Sequence, residues 1–166
     1  GYSVVLAARS EKKLLDLEKD LKKKGFRALA VECDVTKRSH TKNMATQCLD
    51  EFGSIDVLIN NAGIMPLSFM KNLHQDEWDQ MIDVNIKGVL NSIASVLPHM
   101  IENKSGHIVN ISSVAGIKAY PTAAVYCGTK FAVEAITEGL RQEISDKYNI
   151  STSVVRPGSI DTNLSD

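Results

Sequence analysis

Residues 3–25 read SVVLAARSEKKLLDLEKDLKKKG, and this stretch decides the fold class. Ser3 to Ala8 is a short, almost continuous apolar run containing two valines, the pattern of a strand covered on both faces in a parallel sheet. Ser10 then stands where an N-cap is wanted. Leu14, Leu17 and Leu21 recur at helical spacing among Glu, Asp and Lys until Gly25 supplies a stop. The stretch is one strand followed by one amphipathic helix.

The same alternation runs through the rest of the chain. Strands are predicted at Ala28 to Cys33, Val57 to Asn60, His107 to Ser112 and Thr152 to Arg156. Helices are predicted near Ser39 to Phe52, from about Gln75 to Asn103 and from about Ala123 to Tyr148. Five apolar strands separated by four helices specify an α/β fold, a Rossmann-like doubly wound parallel sheet with right-handed crossovers. A single domain over residues 1–166 accounts for everything, without linker, low-complexity tract or internal repeat. In such a sheet, ligands bind beyond the carboxyl ends of the strands. Arg9, Asp34, Asn60 to Gly63, Ser112 with Ser113, and Pro157 with Gly158 each follow a strand, so they are expected to share one crevice.

Composition excludes several function classes. The 166 residues are 43% hydrophobic and 23% charged with a formal net charge of -1, and no Lys/Arg run is set among aromatics, so no nucleic acid partner is expected. Lys22, Lys23 and Lys24 close a helix, where cations suit the dipole. The longest apolar runs are only a few residues, far short of the roughly 20 that span a bilayer, so no membrane partner is expected. The histidines His40, His74, His99 and His107 are scattered without ligand spacing, and no metal is expected. Three cysteines without C-x-x-C spacing favour a reducing, cytoplasmic setting, and Cys127 reads as a packing residue.

The chemistry centres on Tyr126 and Lys130. Four apart at the start of a predicted helix, their side chains share one face, and an ammonium so placed favours the phenolate and is expected to draw the Tyr pKa down from about 10. That makes Tyr126 a usable general acid or base. Spacing alone is something chance supplies. Ser113, at a strand end thirteen residues earlier, can be returned by the intervening loop to set its hydroxyl beside that of Tyr126, so that two hydroxyls hold one carbonyl oxygen. A serine nucleophile needs a base, and no His follows a nearby strand, which argues against a hydrolytic triad.

These segments resemble a short-chain dehydrogenase/reductase. Asn60-Asn61-Ala62-Gly63, Asn85 in Met-Ile-Asp-Val-Asn-Ile-Lys-Gly, Ile111-Ser112-Ser113 with Ala115-Gly116, Tyr126-Cys-Gly-Thr-Lys130 and Pro157-Gly158 follow the family's order and spacing over essentially the whole chain. The resemblance implies that Tyr126 exchanges a proton with the substrate oxygen and that Ser113 orients that oxygen. It also implies that Lys130 contacts the nicotinamide ribose and that Asn85 holds a water linking Lys130 to solvent. Asp34 and Val35 resemble the pair that meets the adenine, Asn60, Asn61, Ala62 and Gly63 the turn beside the adenosine, and Pro157, Gly158, Ile160 and Thr162 the segment at the nicotinamide carboxamide.

Arg9 bears on the choice of cofactor. NAD-preferring relatives place an acid at the end of this strand to hold the ribose 2'-hydroxyl, whereas here that position is Ala8 and the next residue is Arg9. A guanidinium grips a 2'-phosphate through two parallel bonds, and Ser10 can add a hydroxyl, so NADP is the expected cofactor. The implied activity is interconversion of a carbonyl and an alcohol, with Ile64, Met65, Val114, Ile117 and Tyr120 lining the substrate pocket. The segments Glu77 to Leu90 and Tyr120 to Glu143 resemble bacterial members acting on small hydroxy acids or assorted carbonyls. Reduction of a 3-oxoacyl thioester shares every catalytic residue, and a non-catalytic NADP-binding protein is the remaining alternative. A homodimer or homotetramer is expected from the two long helices, which are apolar on more than one face. One element departs from the pattern: ten glycines are present and no two are separated by a single residue, so the family's Gly-x-x-x-Gly-x-Gly loop is missing. Gly1 and Tyr2 read as the end of a first helix. The loop and first strand are then expected upstream, with the last strand and helix beyond Asp166, leaving a central strand short of a neighbour.

Overall fold

The structure is a computed structural model, and it describes residues 1–159. The expected alternation is there: β1 (Val4–Ala8), α1 (Glu11–Lys23), β2 (Ala28–Glu32), α2 (Arg38–Phe52), β3 (Val57–Asn60), β4 (Gly106–Ile111), α5 (Ala124–Tyr148) and β5 (Ile150–Val155). Between β3 and β4, α3 (Gln75–Ile82) and α4 (Gly88–Asn103) run into each other through one π-helical turn at Asp83–Lys87. Short 3-10 turns occupy Met70–Asn72 and Val114–Gly116. Gly25 and Gly53, at φ +82° and +81°, terminate α1 and α2 in the left-handed region that side chains disfavour.

Every ladder is parallel. β1 pairs β2 from Val4 opposite Ala28 to Ala8 opposite Glu32. β4 lies between β3 and β5, with Asn60 opposite Asn110 and Ile111 opposite Val155. The described strands thus form a two-stranded and a three-stranded section, and the interruption falls between β1 and β3. Val57 and Ile59 on β3 are exposed while Leu58 and Asn60 are buried, so this strand is covered on one face only among the described residues.

One apolar cluster joins α2, β3, α4, β4, α5 and β5, with Val96, Met100, Ile108, Val133 and Ile150 at its buried centre. Each such side chain contributes about 1.5–3 kcal/mol through burial, which fixes the ends of β3, β4 and β5 relative to α5. A second cluster, of Met81, Ala115, Ala123, Tyr126 and Cys127, packs the start of α5 against α3 and the turn after β4. Cys127 is buried in it, as expected for a packing residue.

The predicted single helix from Gln75 to Asn103 differs in its middle. At the π turn the backbone shifts register by one residue, and the side chain of Asn85 turns inward instead of continuing the helical face. Gly88 follows at once because nothing larger fits: a Cβ there would stand 2.6 Å from Cγ2 of Val35.

Candidate active site

The strand ends, the π turn and the first turns of α5 meet at one place. Tyr126 and Lys130 lie on adjacent turns of α5, both buried. The Lys130 Nζ stands 5.8 Å from the centroid of the Tyr126 ring and donates a 2.8 Å hydrogen bond to the carbonyl of Ile111, the last residue of β4. Two residues on, Ser113 caps the Val114–Gly116 turn, its hydroxyl accepting from the Ala115 N–H at 3.1 Å. That same hydroxyl is near enough to the phenol of Tyr126 to act on its acidity. A Cβ built on Gly63 would lie 3.5 Å from Oδ1 of Asn85 and 3.7 Å from Nζ of Lys130, so the turn after β3 closes against both.

The electrostatics differ from the sequence expectation. Burial pushes the Tyr126 phenol up from its ordinary value, Cys127 adds to the rise, and the nearby Ser113 hydroxyl works in the opposite direction without cancelling it. Burial likewise holds Lys130 below the ordinary lysine value, so the cation is weakened. The expected downward pull of Lys130 on Tyr126 is not seen, and desolvation sets the direction of the shift.

Asn85 is committed more fully than expected. It is 1% exposed, and its amide makes a matched pair with the backbone of Ile64: Oδ1 accepts from the Ile64 N–H at 2.9 Å and Nδ2 donates to the Ile64 carbonyl at 2.9 Å. Its remaining N–H donates to the hydroxyl of Thr129 at 3.1 Å, which itself donates to the Tyr126 carbonyl at 2.7 Å. Both amide protons are used, and a water could only donate to Oδ1. Thr129, which sequence reasoning passed over, thus bridges Asn85 to the backbone of Tyr126; its one signal was its place directly before Lys130. Asn85→Ala is expected to lower stability by about 2–4 kcal/mol, because it strands Ile64 and Thr129 groups away from water. The check is a lower urea midpoint at unchanged m-value.

Of the expected nucleotide residues, Arg9, Asp34, Val35 and Asn60 to Gly63 line one cleft of about 300 Å³ between the end of β1 and the end of β3, while Ser10, Tyr126, Lys130, Pro157 and Gly158 are not in its wall. Ala7, Leu58 and Ile59 also line it, since β1 and β3 are not paired. Arg9 is exposed near Asp34, and Ser10 holds the N-cap position of α1 without using its hydroxyl to cap. Asp34 accepts from the Thr36 N–H at 3.0 Å and the Thr36 hydroxyl at 2.7 Å; these bonds first, then Lys37 and Arg9, keep its carboxyl below the usual range. Val35 is seated over Gly88, and its carbonyl accepts from Asn91 at 2.9 Å. Asn60 instead faces inward, donating to Asn110 at 2.8 Å, which donates on to Thr137. Asn61 and Ala62 are exposed and Gly63 half-buried. The carbonyl of Pro157 accepts from the Val114 N–H at 3.1 Å, which draws the exposed Gly158 beside the turn that follows Ser113. Ile160 and Thr162 lie outside the described residues.

A strand-end cleft with an arginine at its mouth, a carboxylate, and a turn whose Gly63 offers bare backbone fits an adenine nucleotide. Gly63, in the wall of that cleft, is also the residue that a built Cβ would bring to 3.7 Å from Lys130. The family model for short chain dehydrogenases matches residues 1–166. The chain belongs to the short chain dehydrogenase family. It is 52% identical over 168 residues to an uncharacterized oxidoreductase of Staphylococcus saprophyticus and 47% identical over 165 residues to one of Listeria innocua; it spans 67% and 66% of their lengths. Among solved structures it resembles a gluconate 5-dehydrogenase of Burkholderia cenocepacia in complex with NADP and tartrate, at 33% identity and a TM-score of 0.93, covering 99% of this chain and 64% of that one. A family member from Burkholderia phymatum in complex with NAD matches with a TM-score of 0.95 at 28% identity, covering 99% of this chain and 59% of the other. Relatives thus carry either nicotinamide nucleotide.

Of the substrate-pocket candidates, Ile64 and Met65 pack partly buried against the cluster beneath Tyr126, while Val114, Ile117 and Tyr120 are exposed around it. Among the described residues no group of three metal-ligating side chains occurs, and no helix is long and apolar enough to cross a membrane.

Proposed function

We propose that the whole protein is an NADP(H)-dependent oxidoreductase that interconverts a carbonyl and a secondary or primary alcohol, with a small carbonyl compound or hydroxy acid as substrate. The observation that carries this reading is the gathering of Tyr126 and Lys130 at the strand end that bears Ser113, against the Gly63 turn that shares a cleft wall with Arg9. The nucleotide supplies or accepts the hydride. Ser113 donates a hydrogen bond to the substrate oxygen and so fixes the carbonyl beside the phenol. Tyr126 gives its proton to that oxygen in reduction and takes it back in oxidation. Lys130 stabilises the phenolate left after reduction, and its tie to Ile111 keeps it in place. Its Nζ is also the group assigned to the nicotinamide ribose.

Burial of Tyr126 gives this scheme a direction. A phenol held above its ordinary value stays protonated at neutral pH, which suits reduction, whereas oxidation needs the phenolate and should quicken as pH rises. Arg9 supports NADP over NAD, and the free hydroxyl of Ser10 stands beside it. Arg9→Asp is expected to swing the NADPH/NADH preference by about tenfold to a hundredfold, the worth of a charge-assisted bond of about 1.5–3 kcal/mol. Steady-state kinetics with both nucleotides measure it; an unchanged ratio removes Arg9 from the site. The unpaired thiols of Cys33, Cys48 and Cys127 fit a cytoplasmic setting, and exposed Leu90 on α4 and Phe131 on α5 fit a homodimer or homotetramer. A screen of aldehydes, ketones, oxo acids and 3-oxoacyl thioesters with NADPH tests the reading as a whole.

A further inference from the structure

One turn beyond Lys130 on α5, Glu134 makes an ion pair whose place in the fold sets it apart from the others. Arg156, just past the end of β5, donates to it through two bonds, Nε to Oε1 at 2.9 Å and Nη2 to Oε2 at 2.7 Å. The carboxylate side is largely enclosed, with side-chain exposures of 16% for Glu134 and 47% for Arg156. The Arg141–Glu138 pair, by contrast, is 53% exposed on each side and joins neighbouring turns of one helix. It constrains nothing between segments.

Glu134 also abuts the turn that follows β4. A Cβ on the buried Gly116 would stand 2.5 Å from Oγ of Ser112 and 3.1 Å from Oε1 of Glu134, so the bare backbone of Gly116 is wedged against both side chains. The Ser112 hydroxyl is buried without a partner at hydrogen-bonding geometry, and the Glu134 carboxylate is the acceptor that feels it. Burial raises the Glu134 carboxyl, and Arg156 first and Ser112 second more than offset that, leaving it ionised. The two strand ends are themselves laced together, Ser112 N–H to the Val155 carbonyl at 2.8 Å and Val114 N–H to the Pro157 carbonyl at 3.1 Å.

The carboxylate therefore sits where three segments join: the helix that carries Tyr126 and Lys130, the turn that presents Ser113, and the Pro157–Gly158 segment. We propose that Glu134 is a positioning residue, the Glu134–Arg156 clamp under the Ser112–Gly116 turn holding Ser113, Tyr126 and the Pro157–Gly158 backbone in the one relative placement that aligns substrate oxygen and nucleotide. This rests on the oxidoreductase reading above. A planar guanidinium gripped at two points fixes orientation as well as distance, which a point charge cannot do. Glu134 touches neither reactant; it acts through the segments it joins.

The test uses the whole protein with Glu134→Gln, Glu134→Ala and the exchange Glu134→Arg/Arg156→Glu, and Arg141→Ala as a control. Displacements of an ångström at reacting groups cost up to about a hundredfold in rate. Glu134→Ala is expected to lower kcat and raise the nucleotide KM by about tenfold each, with amide hydrogen exchange speeding up together in residues 112–116 and 156–159. Glu134→Gln, which keeps the shape but loses the charge, should lie between, and the exchanged pair should regain most of the protection. Arg141→Ala should match wild type. Wild-type kcat, KM and local exchange in Glu134→Ala would overturn the proposal. So would a loss of activity that merely follows the folded fraction, with KM unchanged and exchange accelerated throughout the chain. An inactive wild type defeats the oxidoreductase reading instead; joint local acceleration then still supports the clamp, and its absence defeats that too.

Discussion

Tyr126→Phe is expected to reduce turnover about a thousandfold in both directions while leaving nucleotide affinity within about twofold of wild type. The substitution removes one oxygen and nothing else from a ring packed among Met81, Ala115, Ala123 and Cys127, so the fold keeps its packing. What is lost is the proton that the substrate oxygen must gain or shed, a contribution of about 10²–10⁴ in a positioned side chain. The Ser113 hydroxyl then faces a bare ring edge, but its bond from Ala115 still holds it in place. Single-turnover reduction with NADPH, alongside binding followed by nucleotide fluorescence, separates the two quantities. Equal rates in variant and wild type remove Tyr126 from the chemistry. Weakened binding at unchanged rate reassigns it to the nucleotide.

Most of this arrangement is legible from residue order because it is written in local rules. The apolar run at Val4 to Ala8, the leucine spacing after Ser10 and the stop at Gly25 each act over a few residues, and the structure reproduces those boundaries to within a residue or so. The strand-end rule then collects Arg9, Asp34, Gly63 and Ser113 without any knowledge of distances. What local rules do not contain is who meets whom. The π turn at Asp83–Lys87 exists because Asn85 finds the backbone of Ile64, 21 residues away in sequence, and no periodicity within the helix announces that partner. Asn60 shows the same limit. Its place after a strand suggests a ligand contact, yet its amide is spent on Asn110 and through it on Thr137.

Burial is the other quantity that spacing cannot carry. A lysine four residues after a tyrosine says that a cation stands nearby, but how far the two groups are desolvated depends on the Gly63 turn, the π turn and β4 closing around them. In the structure that closure wins: it raises Tyr126 and lowers Lys130. The pair is then balanced toward a neutral phenol and a weakened ammonium, and anything that restores charge to Lys130 moves the phenol toward ionisation. Gly63 takes part in this balance, since a side chain there would set its first carbon 3.7 Å from Lys130 and glycine adds no such apolar bulk.

Lys130→Met is the substitution that separates the two contributions of this lysine. Methionine keeps the unbranched stem and the packing volume, and it removes the charge and the 2.8 Å bond to the Ile111 carbonyl. Without the cation 5.8 Å from its ring, Tyr126 keeps the upward push of burial, and its phenol is expected to climb further from neutrality. Oxidation requires the phenolate; its rate at neutral pH is expected to fall about a hundredfold and its pH profile to move to higher pH. Reduction draws on the protonated phenol, which the variant keeps, so its loss at neutral pH should be smaller and should track weaker nucleotide binding at the ribose. The measurement is kcat against pH in both directions for wild type and variant. A uniform loss in both directions with an unmoved profile would show that Lys130 serves only to hold the nucleotide, and that burial and Ser113 alone set the acidity of Tyr126.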